Sequence, residues 1–167
     1  MSLSTTPFSI SSATYIQRII RRWLNRWMLI FLAALATFAV LGFASDATFF
    51  IVAVIAIFTI PPTSRMIVYY YYGLTPRIVM LSSFPVSLSI DTSNACVIVN
   101  ITPDDRPPRQ FTVPFSAIKE ITPGDTLDTI VYGNSPGDIL LIDKKAFPSQ
   151  SIRIQFHNYI FDNIQKT

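Results

Sequence analysis

Residues 28–44 read MLIFLAALATFAVLGFA, seventeen positions without a charge. As a helix at 1.5 Å per residue they extend about 26 Å, close to the thickness of a bilayer core. Two polar residues, Ser45 and Asp46, separate this run from a second one, residues 47–60 (ATFFIVAVIAIFTI), which ends at Pro61-Pro62. Alone the second run is short, about 21 Å. With so brief a turn between them, the two read as an antiparallel transmembrane hairpin over residues 28–62. Two adjacent apolar helices could not both be buried by what remains of a 167-residue chain.

Composition agrees with that reading. Half of the chain is apolar, 14% is charged and mean hydropathy is +0.43, too oily for an ordinary soluble domain. Charge divides by position: residues 1–77 carry Arg18, Arg21, Arg22, Arg26, Arg65 and Arg77 against Asp46, a net +5, whereas residues 78–167 carry seven basic and nine acidic residues, a net −2. The C-terminal half therefore lacks the basic stripe of a nucleic-acid binder, and nucleic acid is not an expected partner. Four arginines precede the first run and two follow the second, so the positive-inside rule places both chain ends in the cytoplasm and Ser45-Asp46 outside. A cleaved signal peptide, suggested by Gly42-Phe43-Ala44 before Ser45, fits less well: 27 residues precede the apolar run and a second run follows at once.

Residues 1–14, rich in Ser and Thr, are expected to be disordered. Residues 15–27 (YIQRIIRRWLNRW) separate Tyr15, Ile16, Ile19, Ile20, Trp23, Leu24 and Trp27 from Arg18, Arg21, Arg22, Asn25 and Arg26 at helical spacing. This pattern predicts an interfacial amphipathic helix whose arginines meet lipid headgroups while Trp23 and Trp27 occupy the boundary zone; packing of its apolar face on the C-terminal domain is the alternative. Residues 63–74, with Thr63 or Ser64 as a cap and Gly73 as a stop, predict a helical exit stalk carrying Arg65 and the run Tyr69 to Tyr72, which could also be strand.

From residue 75 the periodicity shortens. Candidate strands are 77–84, 86–91, 96–102, 109–113, 127–132 and 138–142, separated by Pro, Gly, Ser and Asn. Alternation of Val86, Leu88 and Ile90 with Ser87, Ser89 and Asp91 marks an antiparallel sheet with one wet face. Ile152, Phe156, Tyr159, Ile160 and Ile164 recur at helical spacing, so one helix closes an α+β domain over residues 75–167.

The run PFSAIKEITPGDTLDTIVYG followed by GDILLIDKKAFPSQ, residues 114–150, resembles the C-terminal stretch of the bacterial YcxB-like family. That resemblance implies two membrane helices followed by a pleckstrin-homology-like sheet or barrel of six or seven strands capped by one helix, at the bacterial inner membrane. The family usually has Pro where this chain has Asp143. The matched segment is structural and implies a fold rather than an activity.

Chemistry is sparsely represented. One Cys (Cys96) and one His (His157) exclude an internal disulfide and a Zn or Fe–S ligand set, and no Gly-rich phosphate loop occurs. His157, within the final helix, reads as surface or packing, and Cys96, in an apolar strand, as a small buried hydrophobe. Asp104-Asp105 beside Arg106 and Arg109, and Asp125 with Asp128, read as solvated charged turns; either could act as an acid/base pair only in a cleft with shifted pKa values. Lys144-Lys145 could contact headgroups or a partner, although two lysines supply only about 1 kcal/mol each near a charged surface. The expectation is a non-enzymatic, cofactor-free membrane protein presenting a domain to a protein partner or the lipid surface. The alternatives are a membrane-anchored immunity protein that neutralises a toxin, or a membrane-associated enzyme or lipid-handling protein.

Overall fold

The computed structural model describes residues 3–44, 47–105 and 107–164. Ser45-Asp46, expected as the connection of the hairpin, and Arg106 lie outside the described residues. Helix α1 (Ser12–Ala44) begins where Ser11 accepts the Thr14 N–H on its hydroxyl at 3.3 Å, an N-cap bond that satisfies one of the free amides of the first turn. Over 33 residues α1 is about 50 Å long. Residues 15–27 are thus not a separate helix lying along an interface. They are the first turns of α1, and Tyr15 and Ile19 are buried in the domain core instead of facing lipid.

Helix α2 (Ala47–Val68) continues through Pro61 and Pro62, where the sequence suggested a break and a new cap. Around the prolines, the hydroxyls of Thr59, Thr63 and Ser64 donate back to the carbonyls of Ile55, Thr59 and Ile60. The prolines themselves leave the carbonyls of Ile57 and Phe58 without an i+4 amide, a loss that apolar helices packed against a neighbour tolerate. Tyr69–Gly73 then winds as one turn of π-helix, so the helical stretch Thr48–Gly73 reaches 26 residues, ample to cross a bilayer. The helices are antiparallel: Gly42 of α1 lies against Phe50 of α2, where a Cβ would come within 3.1 Å of the Phe50 backbone nitrogen, and Trp23 and Trp27 lie near Ile60 and Pro61. Outward-facing side chains stay apolar and exposed, among them Leu29 (76%), Phe43 (81%) and Phe58 (75%).

Residues 77–84, expected as a strand, form helix α3 (Pro76–Ser83). Pro76 sits at the first helical position, where its fixed φ suits the helix and its missing N–H costs nothing, and Ile78 and Leu81 bury one turn apart. Two three-stranded antiparallel sheets follow: β1 (Val86–Asp91), β2 (Cys96–Ile101) and β3 (Arg109–Pro114), then β4 (Ile118–Thr122), β5 (Leu127–Tyr132) and β6 (Ile139–Asp143). Strand β4 escaped the periodicity because its register with β5 shifts between Ile118 and Glu120, which breaks the alternation. Helix α4 (Gln150–Ile164) packs against β4 and inserts Phe156 and Ile160 into the core, with Phe156 edge-on to Phe147 at 5.4 Å. This is an α+β layout, with two long apolar helices preceding the sheets.

Residues 1–14 were expected to be disordered, yet residues 3–10 are built into the domain. They run antiparallel to β1 through bridges Ser4–Ser89 and Phe8–Val86, and the β1 amides of Val86, Leu88 and Ile90 donate to Phe8 O, Thr5 Oγ1 and Leu3 O at 2.8–3.0 Å. Thr6 turns the other way, its N–H and hydroxyl both donating to Ala146 O just beyond β6. One short segment therefore covers the β1 edge and laces the two sheets together. Deleting residues 1–9 is expected to accelerate amide exchange at Val86, Leu88 and Ile90 selectively, measured by hydrogen–deuterium exchange; unchanged protection there would refute the pairing.

Candidate functional site

The base of α1 carries three faces with different duties, set by the 100° step of the helix. Tyr15, Ile19, Arg22 and Arg26 lie toward the domain. Burial pushes the Tyr15 hydroxyl up, and it accepts the Leu141 N–H on the outer edge of β6 at 3.4 Å. Higher up, Arg22 Nη1 donates to Ser135 O (3.2 Å) and Asp138 O (3.4 Å), and Arg26 Nη1 to Asn134 O (3.3 Å). These carbonyls belong to the β5–β6 turn, where Gly133 has φ +68° and a Cβ would strike the Asp138 carboxylate at 2.5 Å. Lys119 Nζ also binds Asn134 Oδ1, and Gly137 lies against Tyr72. Both ends of the helical hairpin thus meet the domain at this turn.

A second face of α1 presents Arg18, Arg21, Arg22 and Asn25 to Glu120, Thr122, Thr129, Val131 and Ile139, enclosing an open cleft of about 280 Å³ between helix and second sheet. Three guanidiniums face one carboxylate there. Burial lowers the Arg22 guanidinium, while Asp138 and Glu120 raise it. The third face, with Trp23 and Trp27 (ring centroids 6.5 Å apart), lines an apolar hollow of about 360 Å³ together with Ile60, Pro61 and Ser64.

The residues singled out from the sequence are accordingly split. Arg18, Arg21 and Arg22 converge on the polar cleft; Trp23 and Trp27 share the apolar hollow on the opposite side; Arg26 holds the β5–β6 turn. Arg65 is exposed near the end of α2. Lys144 and Lys145 are exposed in a single 3-10 turn after β6, whose start is fixed by the Lys145 N–H bonding Asp143 Oδ1 at 2.9 Å. They do not line the arginine cleft.

A further cluster corrects the reading of Asp128 as a solvated turn. Asp128 is fully buried and its oxygens accept from Arg153 (Nη2 at 2.5 Å, Nε at 2.8 Å), His157 Nε2 (2.8 Å) and the Gly124 N–H (3.0 Å). Burial by itself would raise this carboxyl, but the bonds from Arg153, His157 and Gly124 outweigh it and hold the group well below the usual carboxylate range. The bond to Asp128 raises Arg153 in turn. With each carboxylate oxygen accepting two bonds, the cluster pins α4 to β5. Cys96 is buried, and burial raises its thiol pKa, which disfavours the reactive thiolate.

Arg153 was missed by the sequence reading, although a signal existed. It precedes Phe156 and Ile160 by one and two turns, so a charge sits on the apolar face of α4 and demands a buried counter-charge.

On the first sheet the outer edge of β3 has no strand partner among the described residues. Thr102 N bonds Pro85 O, and alternation from that pair directs the amides and carbonyls of Gln110 and Thr112 away from β2. Beside this edge Pro76, Arg77, Met80, Arg109 and Phe111 border a groove of about 260 Å³. Arg77 is held there, 5.1 Å over the Phe111 ring and 3.2 Å from the Tyr132 hydroxyl.

Compared with known proteins, the chain matches no family model, no curated protein and no solved structure.

Replacing Asp128 by Asn is expected to destabilise the fold by about 3–5 kcal/mol, because Arg153 is left buried without its charge partner. Denaturant unfolding in detergent measures this. The folded carboxyl lies below its unfolded value of about 3.9, so its contribution is complete above that pH and is lost as pH falls through the folded value. The Asn variant should accordingly lack that part of the acid dependence.

Proposed function

We propose that the chain is a non-enzymatic binding module anchored in a bacterial inner membrane by α1 and α2, with its α+β domain in the cytoplasm and the open β3 edge receiving an extended segment of a protein partner. The observation that carries the anchoring is the unbroken α1. Its lower turns are part of the domain core, while from Trp27 to Phe43 it exposes apolar side chains that a monomer in water would not leave uncovered. Arg18, Arg21, Arg22, Arg26, Arg65 and Arg77 all belong to the domain end of the antiparallel hairpin, and the positive-inside rule favours the cytoplasm for that end. The exposed tyrosines Tyr69, Tyr70 and Tyr71 suit the headgroup level where that ring type is enriched.

For the binding role, support comes from how the sheet edges are treated. The β1 edge is covered by residues 3–8 and the β6 edge by Tyr15, whereas β3 offers outward amides at Gln110 and Thr112 beside a groove bordered by Arg77 and Arg109. An added strand would gain main-chain bonds there, and two arginines favour acidic side chains on it. The saturated Asp128 cluster supports a structural rather than catalytic use of the chain's buried charges.

Alkaline carbonate should leave the chain in the membrane pellet, and a reporter at the C-terminus should be active in the cytoplasm; release by carbonate or an external reporter would refute the anchoring or its orientation. For the edge, Thr112→Pro removes an outward N–H without touching the β2 ladder, a change edge strands tolerate. A photocrosslinker at Gln110 is expected to capture a discrete adduct in cells that the T112P variant loses at unchanged thermal stability. An adduct insensitive to T112P, or none, would count against strand addition.

A further inference from the structure

The cleft between α1 and the second sheet has a composition that its structural role does not require. Docking of the helix is already achieved by Tyr15, Ile19 and the bonds of Arg22 and Arg26 to the β5–β6 turn. Arg18 and Arg21 are not needed for it, yet they sit one turn apart on the face that borders the cleft, joined by Arg22 and Asn25. Opposite them Thr122 and Thr129 face each other across β4 and β5, and the Thr122 hydroxyl donates to Glu120 at 2.6 Å. The lining sets three guanidiniums against Glu120, with Asp138 acting on Arg22 from beside it, which leaves a net positive charge around an open hollow of about 280 Å³, room for one phosphate-bearing headgroup.

The position along α1 selects the source of that phosphate. Counting back from Met28, the first residue of the uncharged run, Asn25 lies about 4.5 Å, Arg21 about 10 Å and Arg18 about 15 Å below it along the axis. A headgroup layer of roughly 5–8 Å borders each side of a hydrocarbon core. The Asn25 end of the cleft therefore opens within the headgroup layer, Arg21 lies about 2 Å past that layer and Arg18 about 7 Å past it, on the cytoplasmic side.

Resting on the membrane reading above, we propose that this cleft is a binding site for the headgroup of one anionic phospholipid. Arg21 reaches the phosphate along its side chain, Arg18 adds its charge from the inner end of the cleft, Arg22 adds its own while holding the β5–β6 turn, and the threonine hydroxyls bond the polar remainder of the headgroup. Guanidiniums suit this ligand because their planar donor pairs match two phosphate oxygens at once. Glu120 opposes the anion, which makes the site tunable in both directions and supplies a test that loss of folding cannot imitate.

The experiment uses the full chain in phosphatidylcholine nanodiscs, titrated with short-chain phosphatidylglycerol and, separately, with inorganic phosphate, with occupancy read by native mass spectrometry. One phosphatidylglycerol is expected to bind ahead of phosphatidylcholine. The double variant R18A/R21A should bind it roughly 30-fold more weakly, equivalent to about 2 kcal/mol for two arginines near an anionic surface. Glu120→Gln should bind it more tightly. Unchanged affinity in both variants, or inorganic phosphate binding as tightly as the lipid, overturns the proposal. Carbonate release of the chain would sink the membrane reading and the lipid source with it, whereas an inserted chain showing no preference for phosphatidylglycerol would sink this proposal alone.

Discussion

The structure depends on the way α1 enters the domain. Tyr15 and Ile19 are buried in the core of the two sheets, and the same helix emerges from that core without a break into seventeen uncharged residues. A helix bonded residue by residue from i to i−4 transmits orientation along its axis, so the domain's pose relative to the apolar hairpin is set by a rigid rod instead of a linker. Arg22 and Arg26 add a polar lock at the β5–β6 turn, and Gly133 shapes that turn by adopting a φ closed to larger residues.

Much of the remaining architecture follows from closing edges. Small sheets of three strands expose unpaired amides on both sides, and here two of the covers are borrowed from outside the C-terminal half, residues 3–8 for β1 and the Tyr15 hydroxyl for β6, while α4 packs against β4. The N-terminal segment and the first turns of α1 are therefore part of the domain, although some 40 residues of apolar hairpin separate them in sequence from α3 and β1. Residues 3–19 and the sheets after residue 75 thus pack around one core.

Polar chemistry is distributed by the same logic of burial. Where a charge is sealed from water, as at Asp128, it is surrounded by Arg153, His157 and an amide, and its bonds serve to fasten α4. Where charge is left in an open cleft, as with Arg18 and Arg21, nothing in the packing accounts for it. The contrast separates groups that hold the fold from groups available to a ligand.

The long apolar runs, the antiparallel sheets and the closing helix were legible from the sequence because each rests on a local repeat: uncharged length, a period of two, or a period near 3.6. The arginines and tryptophans around residues 18–27 were also visible as an amphipathic pattern. That pattern, however, is the same whether its apolar face meets lipid or protein, and only the packed structure decides for Tyr15 and Ile19. Helix α3 and strand β4 were lost to short length and to a shifted register, and residues 3–10 to a polar composition that looks unfolded until β1 supplies its hydrogen-bond partners. The pairing of Asp128 with Arg153 and His157 spans more than twenty residues of chain. Periodicity determines which face of an element is apolar, but what that face meets is a non-local contact, and such contacts exist only once the chain has folded.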